Sequence, residues 1–263
     1  MDMQKSPSMF IRLDLSKAYD RVDWHFLIKV LRQFGFSQDW MDWIMGCISS
    51  FSYLVLINGK PSQLFPASRG IRQGDPLSPY LFIILAECLG RTITKKRDNK
   101  TLEGVTIAHG ARPISHLQFV DDSTLLGKAT VKEASNIKHI ISCFSKATGQ
   151  LINEDKSKVI FFHCSARQES MVLDKLRYKK TSLPITYLGI PINIQRQKKK
   201  DWTWLLDKVK KKIGKWTNRW ISSWGRITLV KSVLQSIPIY VSTMLNIPKV
   251  VLRELDQINH RFL

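Results

Sequence analysis

The sequence predicts an α+β fold in which an antiparallel sheet carries helices on one face and is followed by a basic helical region. Apolar runs of strand length alternate with amphipathic helical stretches through residues 1–195. Two adjacent carboxylates, Asp121 and Asp122, separate two apolar runs, which is typical of a tight turn between paired strands. Tryptophan and basic residues become frequent from residue 196 onward, which indicates a separate helical module there.

The composition favours a partner that carries many negative charges. The 263 residues are 44% hydrophobic, enough for one large domain or two smaller ones. The net charge of +20 indicates nucleic acid before membrane, although a basic charge that only aids solubility is the alternative. The four cysteines form no C-x-x-C pair, so neither a zinc site nor a disulfide framework is indicated. Without a membrane-length apolar run or a signal-peptide pattern, we expect an intracellular protein.

The first elements predict a carboxylate at the end of a strand. Residues 9–15 form a short apolar strand that carries Asp14, a charge that is costly to bury unless it is paired or bound to metal. Lys17 is the alternative pairing partner. Two amphipathic helices follow, at residues 24–34 and 38–49, and then a hairpin that turns at Asn58-Gly59.

A glycine-containing loop precedes the next helix. It reads Arg-Gly-Ile-Arg-Gln-Gly-Asp-Pro-Leu-Ser-Pro over residues 69–79, with Asp75 as the predicted N-cap and Pro76 in the first helical position. Such a loop lets backbone N–H groups approach a ligand closely, whereas an ordinary helix start is the alternative. Residues 91–110 are polar and basic, and we expect a surface connection there.

The carboxylates are the strongest indication of chemistry. The Asp121-Asp122 hairpin is followed by a helix at residues 132–148 and a strand at 159–162. If the strands that carry Asp14 and Asp121 are antiparallel neighbours, the two side chains meet at one point. Converging carboxylates in a very basic protein describe a two-metal phosphoryl-transfer site, and oxygen ligands suit Mg²⁺. A solvated turn with two structural aspartates is the alternative.

The basic region predicts a nucleic-acid contact. Residues 196–231 contain 12 basic and 2 acidic residues and five of the eight tryptophans. One helical face carries apolar residues that we expect to be packed: Trp202, Leu206, Val209, Ile213, Trp216 and Trp220. The residues off that face suit a phosphate backbone, with a solvated helix surface as the alternative: Lys208, Lys211, Lys215 and Arg219.

Five motifs occur in an order that resembles the reverse transcriptases of plant LINE-type (non-LTR) retrotransposons. They are Asp14-Leu-Ser-Lys-Ala-Tyr-Asp20, the loop at residues 69–79, Phe119-Val-Asp-Asp122, Gly149-Gln-Leu-Ile-Asn-Glu-Asp-Lys156 and Tyr187-Leu-Gly189. The tryptophan-rich region and Trp224-Gly-Arg-Ile-Thr-Leu-Val-Lys-Ser-Val233 resemble the thumb of the same elements. The resemblance implies an α+β polymerase palm over residues 1–195 and a truncated, basic α-helical thumb over 196–263.

The resemblance also implies roles for individual residues in RNA-directed DNA synthesis. Asp14, Asp121, Asp122 and the carbonyl of Leu15 would hold two Mg²⁺ ions, with Mn²⁺ as a substitute, and Lys156 would lie near the triphosphate. The other matching positions are Tyr19 under the incoming sugar, Gln73 and Gly74 beside template and nucleotide, and Tyr187, Leu188 and Gly189 as the primer grip. The implied partners are an RNA template, a DNA primer and deoxynucleoside triphosphates, and the implied location is the nucleus.

Two departures from the family keep other interpretations open. Only 13 residues precede Asp14, where family members carry a fingers region, and no endonuclease domain is expected here. Val120 replaces a residue that is often alanine. The alternatives are therefore an inert remnant that only binds nucleic acid, and a basic RNA-binding or splicing-type module with structural aspartates.

Overall fold

The computed structural model describes residues 6–106, 110–192, 199–217 and 219–263. The chain divides into two compact units, Met1–Ser182 and Leu183–Leu263. No helix in these described ranges is both long and apolar enough to cross a membrane.

The first unit contains a sheet, several helices and a pair of small hairpins. Its described elements are, in chain order, β1 (Ser8–Leu13), α1 (Trp24–Gln33), α2 (Gln38–Ser49), β2 (Ser52–Tyr53), β3 (Leu56–Ile57), β4 (Lys60–Pro61), β5 (Phe65–Pro66), α3 (Ser78–Asp98), β6 (His116–Phe119), β7 (Asp122–Lys128), α4 (Val131–Thr148), β8 (Lys158–Phe162), α5 (Ala166–Leu176) and β9 (Lys179–Lys180).

The main sheet has the strand order β6-β7-β1-β8-β9. The pairs β6–β7, β7–β1 and β1–β8 are antiparallel. Strand β9 pairs with β8 in parallel, because the intervening helix α5 forms a crossover that returns the chain in the same direction. The sheet is therefore antiparallel as predicted, except at this edge strand.

The helices pack on one face of the sheet. In β1 the side chains of Met9, Ile11 and Leu13 are almost completely buried, as the two-residue period of a strand requires. They share a core with residues of α3, α4 and α5, namely Leu89, Ile93, Ala134, Ile137, Val172 and Leu176. The predicted α+β architecture with helices on one face is confirmed.

Several local predictions need correction. Helix α3 begins at Ser78 rather than at Pro76, because residues 75–78 form a separate turn in which the N–H of Ser78 donates to the carbonyl of Asp75 at 3.2 Å. The same helix continues to Asp98, so residues 91–98 are helical instead of a connection, and one of their side chains, Ile93, is buried in the core.

The second unit is a short hairpin followed by helices. Its described elements are β10 (Ile185–Tyr187), β11 (Ile190–Ile192), a 3₁₀ turn (Lys199–Trp202), α6 (Thr203–Gly214), α7 (Ser223–Leu229), a π-helical segment (Val230–Leu234), α8 (Ser236–Ser242) and α9 (Lys249–Phe262). A core joins Trp202, Leu206 and Val209 to Leu255 and Phe262 of α9.

The prediction for Trp220 was wrong. Helix α6 ends at Gly214, so Trp220 lies in the connection to α7 and does not continue the packed face. Its side chain is fully exposed, at 106% of the reference area, whereas Trp202 is buried at 1%. The helical period was extended too far along the sequence.

The boundary between the two compact units falls at Ser182, so residues 187–189 lie in the second unit. The division into a palm at residues 1–195 and a thumb at 196–263 stays a prediction.

Candidate functional site

The tip of the β6–β7 hairpin carries Asp121. Phe119 pairs with Asp122, which leaves Val120 and Asp121 as a two-residue turn. Val120 has a φ of +53°, a conformation that this kind of turn requires in its first position. The exposed side chain of Asp121 is thus carried by a turn at one end of two paired strands.

Asp14 lies at the same end of the strands, directly after β1. In the β1–β7 pair, Leu13 lies opposite Ser123. Asp14, the next residue after β1, therefore lies beside Asp122, with which β7 begins. The predicted antiparallel adjacency of these two strands is confirmed. It brings the backbone of Asp14 to the end of the sheet that carries the Asp121 turn.

The backbone of Asp14 is held on both sides by the segment after α4. Its N–H donates to the hydroxyl of Ser157 at 3.1 Å, and its carbonyl accepts from the N–H of Asn153 at 2.8 Å. The Asn153 side chain also accepts from the N–H of Lys156 at 3.1 Å. Lys156 is therefore held in a turn that is bonded to Asp14, with its own side chain exposed.

Leu15 takes part in a β-bridge in which its own carbonyl accepts no hydrogen bond. Leu15 is paired with Ile152 in an antiparallel bridge. The two hydrogen bonds of that bridge belong to its neighbours, Asp14 with Asn153 and Ser16 with Leu151. In such a non-hydrogen-bonded pair the carbonyl of Leu15 is directed away from Ile152.

An open cavity of about 640 Å³ gathers most of the predicted nucleotide-binding residues. Its walls include Leu15, Tyr19, Gln73, Gly74 and Asp121. These residues come from the end of β1, the turn after it, the loop before α3 and the β6–β7 hairpin. Asp14, Asp122 and Lys156 do not line this cavity.

Tyr19 forms one wall of the cavity in a fixed orientation. Its ring stacks on Phe82 of α3, with ring centroids 5.0 Å apart and an angle of 9° between the planes. Burial, and to a smaller extent the negative charge of Asp121, raises the pKa of the Tyr19 hydroxyl above its usual value. The hydroxyl therefore stays protonated at neutral pH.

The loop before α3 is bonded along the turn that carries Tyr19. The N–H of Gly70 donates to the carbonyl of Val22 at 2.8 Å, and the N–H of Ile71 donates to the carbonyl of Tyr19 at 2.9 Å. A Cβ at Gly70 would lie 2.8 Å from the carbonyl oxygen of Asp20, and the φ of Gly70 is +89°. Only glycine allows this close approach, which holds the start of the loop, at Gly70 and Ile71, against the turn that carries Tyr19.

Asp122 has a cationic partner. Its carboxylate accepts from the guanidinium of Arg12 at 2.9 Å, across the β1–β7 pair. Among the described residues, no group of three or more histidine, cysteine, aspartate or glutamate side chains lies close enough to hold a metal ion. The oxygen donors at this end of the strands are Asp14, Asp121 and the carbonyl of Leu15. Oxygen ligands suit Mg²⁺, and few of them are enough because that ion keeps several waters.

Three residues that support the site were not singled out in the sequence. They are Arg12, which pairs with Asp122; Ser157, which receives the N–H of Asp14; and Gln150, which is 2% exposed and donates to the carbonyl of Ala18 at 2.8 Å. A lone arginine in an apolar strand was the available signal for Arg12. For Gln150 the available signal was its place in the motif at residues 149–156, and nothing in the sequence pattern separates Ser157 from ordinary polar residues.

In the second unit, the predicted primer-grip residues form a tight hairpin turn. Tyr187 pairs with Ile190, and Leu188 and Gly189 turn with φ values of +49° and +76°. The hydroxyl of Tyr240 on α8 donates to the carbonyl of Leu188 at 2.7 Å.

The predicted nucleic-acid-binding residues all lie exposed. Lys208 and Lys211 are on the outer side of α6, Lys215 caps its end and Arg219 is in the connection to α7.

Comparison with known proteins finds similarity to an uncharacterised protein and to a retrotransposon polyprotein. A stretch of 77 residues is 42% identical to an uncharacterised mitochondrial protein of Arabidopsis thaliana and covers 29% of this chain. A stretch of 146 residues is 28% identical to a retrovirus-related Pol polyprotein from type-1 retrotransposable element R2 of Popillia japonica and covers 56% of this chain. The chain spans 63% and 23% of the lengths of these two relatives.

The fold also resembles solved structures of telomerase. The telomerase of Candida albicans, solved in complex with a fragment of telomeric RNA, matches 97% of this chain and 44% of its own, with a TM-score of 0.50 at 12% identity. At that identity the likeness concerns the fold alone.

The family described as reverse transcriptase (RNA-dependent DNA polymerase) matches residues 1–192. This match includes β1, the Asp121 hairpin and every residue that lines the 640 Å³ cavity. The resemblance predicted from the motifs is thus confirmed, and the chain belongs to the reverse transcriptase family.

Proposed function

We propose that this chain carries the polymerising centre of an RNA-directed DNA polymerase. The observation that carries the proposal is the cavity between Asp121, Tyr19, Gln73 and Gly74, in a chain of the reverse transcriptase family. Its substrates would be a DNA primer, an RNA template and deoxynucleoside triphosphates. The reaction would join the primer 3′-oxygen to the α-phosphorus of the nucleotide and release pyrophosphate.

Reverse transcriptases in general use divalent metal ions. Here two Mg²⁺ ions, with Mn²⁺ as a substitute, would be held by Asp14, Asp121 and the carbonyl of Leu15, with Asp122 as the second carboxylate of the doublet. When bound, these ions supply positive charge to the attacking and leaving oxygens of an in-line displacement. The oxygen donors at the end of β1 and the hairpin tip support this assignment.

The remaining residues would position the substrates. Tyr19, which is rigid through its stack on Phe82, would lie under the incoming sugar and exclude a 2′-hydroxyl. Gln73 and Gly74 would border the template and the base of the nucleotide. Lys156, whose ammonium group is exposed beside the turn bonded to Asp14, would lie near the triphosphate and donate a proton to pyrophosphate.

The second unit would hold the product strand. Tyr187, Leu188 and Gly189 would grip the primer end, and the outer basic residues would contact phosphates: Lys208, Lys211, Lys215 and Arg219. In this proposal the palm extends over residues 1–195 and the thumb over 196–263. We also propose a nuclear location, which imaging of the tagged chain in plant cells would check.

Primer extension on an RNA template with Mg²⁺ tests the proposal. Asp121→Asn removes one negative charge from an exposed side chain, so the fold should persist while extension falls at least about a hundredfold. Asp174→Asn, an exposed aspartate on α5, is the matched control and should extend primers as the unsubstituted chain does. Equal activity of the unsubstituted chain and the Asp121 variant would contradict the assignment.

A catalytically inert retroelement remnant that only binds nucleic acid is the second candidate. The pairing of Asp122 with Arg12 favours it, because that carboxylate is already neutralised by a side chain. Primer–template that is bound but never extended by the unsubstituted chain would support this candidate and count against polymerisation.

A further inference from the structure

The second unit contains a groove of basic and aromatic residues apart from the outer face of α6. Three open cavities of about 380, 510 and 470 Å³ lie between α6, α9 and the connection to α7. The first shares Thr217 and Arg226 with the second, and Lys210 and Arg261 with the third. Because neighbouring cavities share lining residues, the three lie side by side, and together they are called the groove.

The charge of the groove walls is strongly positive. Lys210, Arg219, Arg226, Arg253 and Arg261 line it. Within the ranges that the structure describes, no carboxylate forms an ion pair with any of these five. The acidic residue in the walls, Glu254, is paired with Lys199 at 3.2 Å. Uncompensated guanidinium and ammonium groups along a groove attract a phosphate backbone.

The floor of the groove is apolar and firmly packed. The rings of Trp216 and Phe262 lie 5.8 Å apart, and Phe262 is 7% exposed. The guanidinium of Arg226 lies 5.9 Å from the Phe262 ring and donates to the Phe262 carbonyl at 3.4 Å. One basic wall is therefore anchored to the floor, so its charge has a defined position.

Trp220 is the feature that selects the ligand. Its indole lines the 510 Å³ cavity next to Arg219 and Arg226, yet it is fully exposed. A large apolar ring that is left in water beside unpaired cations is typical of a surface on which a nucleobase stacks. Bases in a duplex are already stacked on each other, so an exposed indole favours an unpaired base.

We propose that this groove binds single-stranded RNA, with a base stacked on Trp220 and the flanking phosphates on Arg219, Arg226 and Arg261. The choice of RNA over DNA rests on the proposed function, because an RNA-directed enzyme works on an RNA strand. The binding itself needs neither metal nor nucleotide. The groove shares Arg219 with the outer basic residues of the proposed function, whereas Lys208, Lys211 and Lys215 do not line it.

Fluorescence anisotropy with the full chain and a labelled single-stranded RNA of about ten nucleotides, without Mg²⁺ or nucleotides, tests the stacking. Trp220→Ala should weaken binding about tenfold, and Trp220→Phe, which keeps an aromatic ring, should restore most of it. Trp224→Ala is the matched control, because Trp224 is 81% exposed and does not line the groove. A strand of the same length without bases should bind the chain and its Trp220→Ala variant equally.

The electrostatic half of the proposal has its own test. Arg261→Gln should reduce the slope of log affinity against log salt concentration by about 0.7, the value for one lost phosphate contact on a single strand. Lys249→Gln, on the same helix but outside the groove walls, should leave the slope unchanged.

Three results would overturn the proposal. They are equal affinities of the chain and its Trp220→Ala variant, an equal loss in Trp224→Ala, and tighter binding of a DNA strand of the same sequence. None of these results depends on polymerisation. A chain that fails to extend primers could still bind RNA in this groove, and a chain that extends primers could fail to bind RNA there.

Discussion

The two units hold their functional residues in opposite ways. Around Asp121, the neighbouring segments are fixed by close backbone contacts, such as the approach of Gly70 to Asp20 and the two hydrogen bonds of Asp14. On the outer side of α6, Lys208 and Lys211 are exposed and extend into solvent. The first arrangement holds the atoms of the site in defined positions, whereas the second provides a positive electrostatic field at the surface of α6.

The difference follows from what each region is proposed to bind. A reacting phosphate must be aligned closely with its nucleophile, and small displacements there cost large factors in rate. A nucleic-acid backbone is a line of charge, and its attraction to a basic surface depends little on the position of any one side chain. Substitutions should therefore unfold or inactivate the first unit more readily than the second.

The largest effect on stability is expected at Gly70. Gly70→Ala puts a Cβ 2.8 Å from the carbonyl oxygen of Asp20 and requires alanine at a φ of +89°. We expect a loss of about 2–4 kcal/mol in the free energy of unfolding of the first unit, from the contact and the backbone strain together. Urea denaturation would measure it.

Gly35→Ala is the control for the backbone strain alone. Gly35 has a φ of +87°, and a Cβ there would meet no atom within 4 Å. It should cost about 1–2 kcal/mol. If both variants lost the same stability, the contact with Asp20 would contribute nothing, and the loop at residues 69–79 would not be fixed by it.

The parts of the site that sequence reasoning predicted are those that depend on local patterns. Asp121 lies in a turn because two β-forming runs flank it, and the 3.6-residue period of residues 38–49 predicted α2 with the bounds that it has. The short apolar run at residues 9–15 likewise predicted a strand, and β1 spans Ser8–Leu13. For α2, local periodicity was sufficient because the helix ends where its own pattern ends.

The parts that sequence reasoning missed depend on distant contacts. Gln150 is buried because it reaches Ala18, which is 132 residues away in the chain. Trp220 continues the spacing of Trp202 and Trp216, yet α6 ends at Gly214 and leaves it in solvent. The pattern within α6 does not reveal where this helix stops packing against α9, which comes much later in the chain.

A smaller effect with a pH signature is expected at Glu133. This carboxyl is 4% exposed and accepts from the N–H groups of Glu103 at 3.0 Å and Gly104 at 3.5 Å. Burial raises its pKa above the ordinary value of 4.5, more than these two hydrogen bonds lower it. A raised pKa in the folded state gives stability that is complete below pH 4.5 and is lost as the pH rises through the folded value.

Glu133→Gln keeps an acceptor oxygen but cannot ionise. Compared with the unsubstituted chain, its free energy of unfolding should fall less as the pH rises from about 4.5 toward neutrality. Glu87→Gln, an exposed glutamate on α3, should follow the unsubstituted chain. A Glu133 variant that keeps the full pH dependence would show that this carboxyl is not the group that titrates.

The smallest effect on stability is expected on the outer side of α6, where the effect on binding should instead be clear. Lys211→Glu with Lys215→Glu changes two exposed side chains, so the melting temperature should stay the same. The slope of log affinity against log salt for an RNA–DNA duplex should fall by about 2, roughly 0.9 for each lost phosphate contact. Lys29→Glu with Lys132→Glu changes the net charge of the whole chain by the same amount from exposed positions in the first unit, so any effect of total charge is common to both pairs. Equal slopes for the two double variants would mean that duplex binding depends on the net charge of the chain alone. The outer side of α6 would then not be a specific binding surface, and its contrast with the fixed site around Asp121 would fail.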